Sequence, residues 1–249
     1  MDFSRAQRNG FGAGEARAED FNLASFNIDG IKLRVPGHCL TPPLTRALES
    51  GHYEWNEKAA LKQHLEPGDR VLELGAGAGY LSILSAQRIG AENVTSIEAN
   101  SAMLEVLRKN LDSNGARDVT LHHGAVVPDS HDGSVVRFHM REAFWASSVA
   151  GEGATPEQVV EVPALRLSGL LAEVQPTVVV MDVEGAEPEL CEGDWPDCVR
   201  LLIMEIHTRL YSPARVKAMF DALSRSGFTY MPWGTRGEVV TLQRVVEAG

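Results

Sequence analysis

The sequence predicts an α/β protein with a Rossmann-like, mostly parallel sheet covered by helices on both faces, and three observations support this. Strands over Val71–Leu74, Val94–Ile97 and Val119–His122 alternate with helices over Leu81–Ile89 and Ala102–Asn110. Short links between such elements imply parallel neighbours and right-handed crossovers. The first of these strands runs straight into a glycine-rich turn, Gly75-Ala-Gly-Ala-Gly79, the strand-to-helix junction at which open α/β sheets bind ligands. Further along, Val178-Val-Val-Met181 lacks any polar alternation, as a strand buried on both faces requires.

In chain order, residues 1–20 mix Arg, Glu, Gly and Ala without an apolar core and are expected to be a flexible N-terminus. Phe26–Val35 reads as two short strands around an Asp29-Gly30 turn. Pro36–Pro43 breaks the pattern, and Leu44–Leu65 carries apolar residues at helical spacing, giving one or two helices. Residues 21–65 are therefore expected to form a strand and helix cap over the site, ahead of a main domain over 66–249. Glu66-Pro-Gly-Asp-Arg70 is a turn that launches the first core strand. An insertion over 127–173 is expected to hold a β-hairpin, drawn from Val135–Met140, Phe144–Ser148 and Val159–Leu167, and a mobile loop over Gly151–Thr155. Later strands are expected at Thr177–Met181, Leu201–Ile206, Phe228–Met231 and Val239–Gln243, the last two joined by a Pro232–Glu238 turn.

The chain has 249 residues, 44% of them hydrophobic, and a net charge of −11 from 23 Lys and Arg against 34 Asp and Glu. A grip on nucleic-acid phosphates would have to work against that field, so a small or neutral substrate is favoured over nucleic acid. Cys39, Cys191 and Cys198 have neither disulfide-framework nor zinc spacing. They read as reduced thiols in a reducing compartment. With no secretory or membrane-spanning pattern, the expected location is the cytoplasm, without a membrane partner. A homo-oligomer is compatible with all of this.

The glycine turn is followed, 19 residues after Gly79, by Glu98 at the end of the second strand. Glycines let a ligand approach the backbone, the next helix offers free N–H groups, and a carboxylate one strand away can hold a ribose diol. The arrangement suits a nucleoside. The spacing is Gly75-x-Gly77-x-Gly79 and not the Gly-x-Gly-x-x-Gly of dinucleotide sites.

Other strands also end in polar side chains, where an open sheet performs chemistry. These are Glu73, Asp182 with Glu184, and Glu205 with His207. His207 has an ordinary pKa near neutrality and is the candidate general base, with Glu205 and Glu184 placed to orient it or an acceptor hydroxyl. His122, His123 and His131 lack a partner at metal-ligand spacing, so no metal is expected, although Asp182, Glu184 and Glu205 leave a divalent ion open. Trp145, Ser147 and Ser148 are candidates for an acceptor pocket, and Tyr53 and Glu54 for closing the site.

The form Glu73-x-Gly-x-Gly-x-Gly79 resembles motif I of class I S-adenosylmethionine-dependent methyltransferases. The strand followed by Asp182-Val-Glu-Gly-Ala-Glu187, with Glu205-Ile-His207 on the next strand, resembles the FkbM family of these enzymes over roughly residues 50–210. The resemblance implies a seven-stranded sheet whose last strand inserts antiparallel, and S-adenosylmethionine as cofactor. It puts Glu73 near the methionyl amino group and Glu98 on the ribose hydroxyls. The remaining cofactor contacts it implies are Gly75, Ala76, Gly77, Gly79, Tyr80, Ala99, Asn100, Gly124, Ala125 and Asp182. The implied activity is O-methylation of a small-molecule hydroxyl, on a sugar, polyketide or other secondary metabolite. The competing readings are an NAD-dependent oxidoreductase, which the glycine spacing disfavours, and a non-catalytic nucleoside-binding module.

Overall fold

The structure is a computed structural model that describes residues 22–139, 148–149 and 159–246. The expected flexible N-terminus, the loop over 151–155 and the candidates Trp145 and Ser147 lie outside the described residues, and Ser148 is described by its backbone alone. Strands β1 (Leu23–Ile28) and β2 (Ile31–Pro36) form the expected hairpin. Its two turn residues, Asp29 and Gly30, both have positive φ (53° and 87°), as a two-residue turn between right-twisted strands requires. Two asparagines one helical turn apart extend the hairpin onto the main domain. Asn110 accepts from the Arg34 amide and donates to the Arg34 carbonyl, each at 2.9 Å, and Asn114 does the same for Lys32 at 2.9 and 2.8 Å. Their carboxamides act as a strand edge would.

Helices α1 (Pro42–Glu49), capped by Thr41 with Pro42 in its first turn, and α2 (Trp55–His64) follow. The core then runs β3 (Val71–Leu74), α3 (Tyr80–Ile89), β4 (Val94–Glu98), α4 (Ser101–Ser113) and β5 (Thr120–His123). Next come β6 (Ala125–Val127), β7 (Val135–His139), β8 (Ser148–Val149), β9 (Val159–Arg166) and α5 (Leu167–Val174). The chain ends with β10 (Val178–Met181), α6 (Glu187–Cys191), β11 (Leu201–Glu205), α7 (Pro213–Arg225), β12 (Phe228–Arg236) and β13 (Val239–Arg244).

The main sheet has seven strands in the order β12-β13-β11-β10-β3-β4-β5. Its strands are parallel from β11 through β5, and β13 inserts antiparallel between β11 and β12. This is the class I methyltransferase sheet. Alternation along each strand divides the core: Val71, Val94, Val178 and Ile203 pack with the hairpin and the helices α1 to α4. Leu72, Ile97, Val179 and Leu202 pack with α5 to α7 on the other face.

Two elements differ from expectation. The final turn is only Gly237-Glu238, because β12 continues to Arg236 through an irregularity between Met231 and Arg236. Pro232 lacks an N–H, but β12 is an edge strand and tolerates it. The hairpin expected after residue 127 pairs β7 with β9 and belongs to a second, four-stranded sheet, β6-β9-β7-β8, with its own small core of Val127, Val136, Phe138 and Val162. Among the described residues, no helix is long and apolar enough to cross a membrane.

At the amino ends of the central strands, Asp69 is the knot. Arg200 donates to both its oxygens (2.9 and 2.5 Å), Thr177 to one (2.7 Å), and the Glu66 amide to the other (2.8 Å). Burial alone would raise the Asp69 pKa, but these donors outweigh it and hold the carboxyl below its ordinary value of 3.8. A depressed carboxylate pKa contributes stability that is present above the unfolded value and lost as pH falls through the folded one. Asp69→Asn is therefore expected to lower unfolding free energy in urea by about 2–3 kcal/mol at pH 7. The gap between wild type and variant should close below pH 3.8.

Candidate functional site

The glycine turn lies at the carboxyl end of β3, flanked by β4 and β10. The amides of Gly75 and Ala76 both donate to the Ile97 carbonyl at 3.0 Å, which folds the turn over the end of β4. Gly75 has φ +90° and lies so close to β10 that a Cβ would run into the Asp182 carbonyl oxygen. Only glycine fits there on both counts.

Glu98 ends β4 with 7% of its surface exposed. Its carboxylate accepts the Gly77 amide at 2.7 Å and the Asn100 amide at 2.6 Å. Burial raises its pKa against those hydrogen bonds. Each oxygen keeps a second lone pair for a diol. Gly75, Gly77 and Glu98 form one wall of a cleft, with Ala99, Gly124 and Ala125 continuing it, and Val126 and Phe138 provide an apolar side. Asp182, Glu184, Tyr53 and Glu54 complete the lining and make it acidic. A narrow apolar slot suits an adenine, the carboxylate a ribose, and the acidic wall a cationic methionyl sulfonium, so these residues fit S-adenosylmethionine.

Not every residue named for the cofactor reaches the cleft. Glu73 is buried below the turn, where it accepts hydrogen bonds from Ser82 and, at 2.9 Å, from Ser96, its register neighbour on β4. Burial pushes its pKa up to about 7 while the two hydroxyls favour the charged form. It fastens α3 and β4 beneath the glycines, with no direct line to the cleft. Ala76, Gly79, Tyr80 and Asn100 likewise serve the turn from behind, Tyr80 packing edge-on against Tyr53 at 6.0 Å.

The second half of the site is the turn after β10. Glu184 (φ 52°) and Gly185 (φ 108°) both adopt positive φ, which turns the chain into α6 and delivers Glu187, whose side chain is 0% exposed. Glu187 accepts from the Gly185 amide at 3.2 Å and from His207 Nδ1 at 2.9 Å. The other ring nitrogen, Nε2, faces Glu184 at 3.2 Å and Asp182 at 3.6 Å. His207 thus has a carboxylate on each side. Its partial burial opposes charge, but the hydrogen bond to Glu187 and the fields of Glu187, Glu184 and Glu205 prevail and push its pKa up to about 9. At neutral pH it holds its proton, whereas the base expected from the sequence needs the neutral ring.

The surrounding carboxyls are raised as well. Burial, then Glu205 and Glu184, lift Asp182 well above its ordinary value; burial lifts Glu54, and lifts Glu57 of α2 to about 7. Burial also raises Glu205. The structure therefore brings Asp182, Glu184, Glu205 and His207 together, as the strand endings suggested, and adds Glu187 and Glu57. Glu187 was visible within the motif but had no assigned partner, and Glu57 carried no signal distinguishing it from a solvated helix face. His123 and His131 point at backbone carbonyls, of Ala99 and Val135.

The backbone contact at Gly75 is directly testable. Gly115 has φ +75° and open space where a Cβ would stand, with nothing within 4 Å, so Gly115→Ala should cost only the left-handed strain of about 1–2 kcal/mol. Gly75→Ala should cost clearly more in urea unfolding, and should abolish S-adenosylhomocysteine binding in calorimetry.

Residues 55–130 match the family profile described as protein-L-isoaspartate(D-aspartate) O-methyltransferase. The chain is similar to ribosomal protein L11 methyltransferase of Thermotoga neapolitana, 38% identical over 61 residues, covering 24% of this chain and 22% of that one. It is also similar to demethylmenaquinone methyltransferase of Symbiobacterium thermophilum, 27% identical over 106 residues, covering 39% of this chain and 42% of that one. The matched segments span less than half the length of these curated relatives. Among solved structures, precorrin-6y C5,15-methyltransferase from Geobacter metallireducens superposes with a TM-score of 0.45 at 14% identity, over 86% of this chain and 93% of that one. By its strand order, its glycine turn and this family match, the chain has the fold and the cofactor-binding half of the class I S-adenosylmethionine-dependent methyltransferases.

Proposed function

We propose that the protein is an S-adenosylmethionine-dependent O-methyltransferase that methylates a hydroxyl of a small molecule, of the sugar, polyketide or secondary-metabolite kind, and that it belongs with the FkbM methyltransferases. One observation carries the reading: the glycine and Glu98 cradle and the carboxylates of Asp182 and Glu184 line a single cleft, with His207 held behind those two carboxylates. The link between Glu187 and His207 also gives a physical reason for the two parts of the FkbM pattern to occur together. The last carboxylate of Asp182-Val-Glu-Gly-Ala-Glu187 orients the histidine of Glu205-Ile-His207, so neither segment works alone.

When bound, the cofactor supplies a methyl already activated by its sulfonium. What remains for the protein is to align the acceptor, keep water out and take up the hydroxyl proton. Alignment alone can contribute several kcal/mol. With both His207 ring nitrogens engaged by carboxylates, that residue positions the acidic wall, and the acceptor's proton passes to a carboxylate lining the cleft, Glu184 or Asp182. Such assistance supplies roughly 10² to 10⁴ in rate.

Incubating the protein with methyl-labelled S-adenosylmethionine and a metabolite extract is expected to place label in an alkali-stable small-molecule ether. Label confined to protein or RNA, or none at all, would overturn the assignment. Glu98→Ala is expected to weaken S-adenosylhomocysteine binding by at least tenfold, about 1.4 kcal/mol, as read by titration calorimetry.

A further inference from the structure

We infer that Asp182, Glu205 and His207 form a binding site for one divalent first-row metal ion, of the Mn²⁺ kind, beside the cleft where Asp182 lines it. One ligand atom from each lies within 4.8 Å of the other two. The three come from the adjacent ends of β10 and β11, so the rigid centre of the sheet sets their spacing. Two carboxylates with an imidazole are a donor set for ions such as Mn²⁺, Fe²⁺ or Zn²⁺.

Two further observations point to a cation. A metal-bound histidine is normally fixed by a carboxylate on its other ring nitrogen, and Glu187, fully buried, holds His207 Nδ1 at 2.9 Å, leaving Nε2 facing Glu184 at 3.2 Å and Asp182 at 3.6 Å. Independently, Asp182 Oδ1 is inaccessible to solvent and has no hydrogen-bond partner, although an orphaned carboxylate oxygen is costly to bury. An ion between Oδ1 and Nε2 would supply the missing partner. It would displace the proton from His207, as metal binding to imidazole does. All three ligands are only partly buried, so further coordination positions would open toward the cleft.

The binding claim stands apart from the methyl-transfer reading; only the role of the ion rests on it. An acceptor hydroxyl bound to the ion becomes more acidic. Its proton goes to Glu184, its oxygen lone pair forms the new C–O bond, and the C–S bond breaks with its pair returning to sulfur. No other reactant is needed.

The test uses the full chain, MnCl₂ alone, and paramagnetic resonance to count bound ions after exhaustive chelation and dialysis. One Mn²⁺ per chain is expected, with selective broadening of the His207 imidazole signals in wild type. Glu205→Gln and His207→Gln should each weaken binding at least tenfold. Glu205→Gln should keep its thermal midpoint, because removing a carboxylate relieves repulsion, and should keep S-adenosylhomocysteine affinity. Absence of bound ion at millimolar Mn²⁺, broadening elsewhere, or affinity unchanged in both variants would overturn the site. Loss of S-adenosylhomocysteine binding by wild type would instead overturn the methyltransferase reading and leave the metal result standing.

Discussion

The closeness of two backbones at the middle of the sheet is the constraint on which the site depends. Gly75 at the end of β3 presses on the carbonyl of Asp182 at the end of β10, and the Asp182 amide donates to the Leu74 carbonyl at 2.9 Å. With no Cβ between them, the nucleoside cradle and the acidic cluster become two walls of one cleft. Widening this contact by a single methyl would separate the glycine turn from the wall it faces. The turn is fixed from below as well, by Glu73 reaching Ser82 and Ser96, and from the side by Asn110, which donates to the Ala78 carbonyl at 2.9 Å. A nucleoside pocket lined by backbone has few side chains with which to hold its own shape, so it depends on such supports.

The two ends of the sheet handle charge in opposite ways. At the amino ends, Asp69 and Arg200 are paired and hydrogen-bonded to the chain around them. At the carboxyl ends, Asp182, Glu184, Glu187 and Glu205 crowd around one histidine, while Glu54 and Glu184 hold left-handed backbone that costs of order 1–3 kcal/mol each. Repulsion and strain on this scale persist only where the surrounding structure over-determines them. The hairpin, α1 and α2 pack into the same core cluster as the inner face of the sheet and provide that support. A fold stabilised at one end of its strands can carry a destabilised arrangement at the other.

Much of this was legible in the chain. The alternation from Val71 to His122, the apolar run at Val178 and the polar strand endings each depend on neighbours in sequence, and they correspond to β3 through β5, β10 and the acidic wall. What escaped notice depends on distant partners. Nothing local marks Asn110 and Asn114 as the surrogate edge for β2, Ser82 and Ser96 as the donors that draw Glu73 away from the cleft, or Glu57 as a contributor to the cluster's field. His207 is the instructive case. Its place at a strand end was readable from spacing, but its protonation depends on three carboxylates gathered from Glu184, Glu187 and Glu205. A pKa is a property of the assembled site, so the residue that looked most like a base by type is held in the form that cannot act as one.

The sign of the site also constrains which chemistry it can favour. An acidic wall attracts a cationic cofactor, yet a bare carboxylate against a sulfonium would stabilise that charge more before methyl transfer than during it, when the charge is dispersing. The structure reduces this problem by committing much of its negative charge elsewhere. Glu187 and Glu184 are turned onto the histidine, and Glu98 is tied to two amides. What the cleft then presents is a negative, largely preorganised surface in which part of the charge is balanced by fixed partners instead of water. Such a surface can bind the donor without holding it back, and its acidity works against anionic acceptors, in keeping with a chain whose net charge is −11.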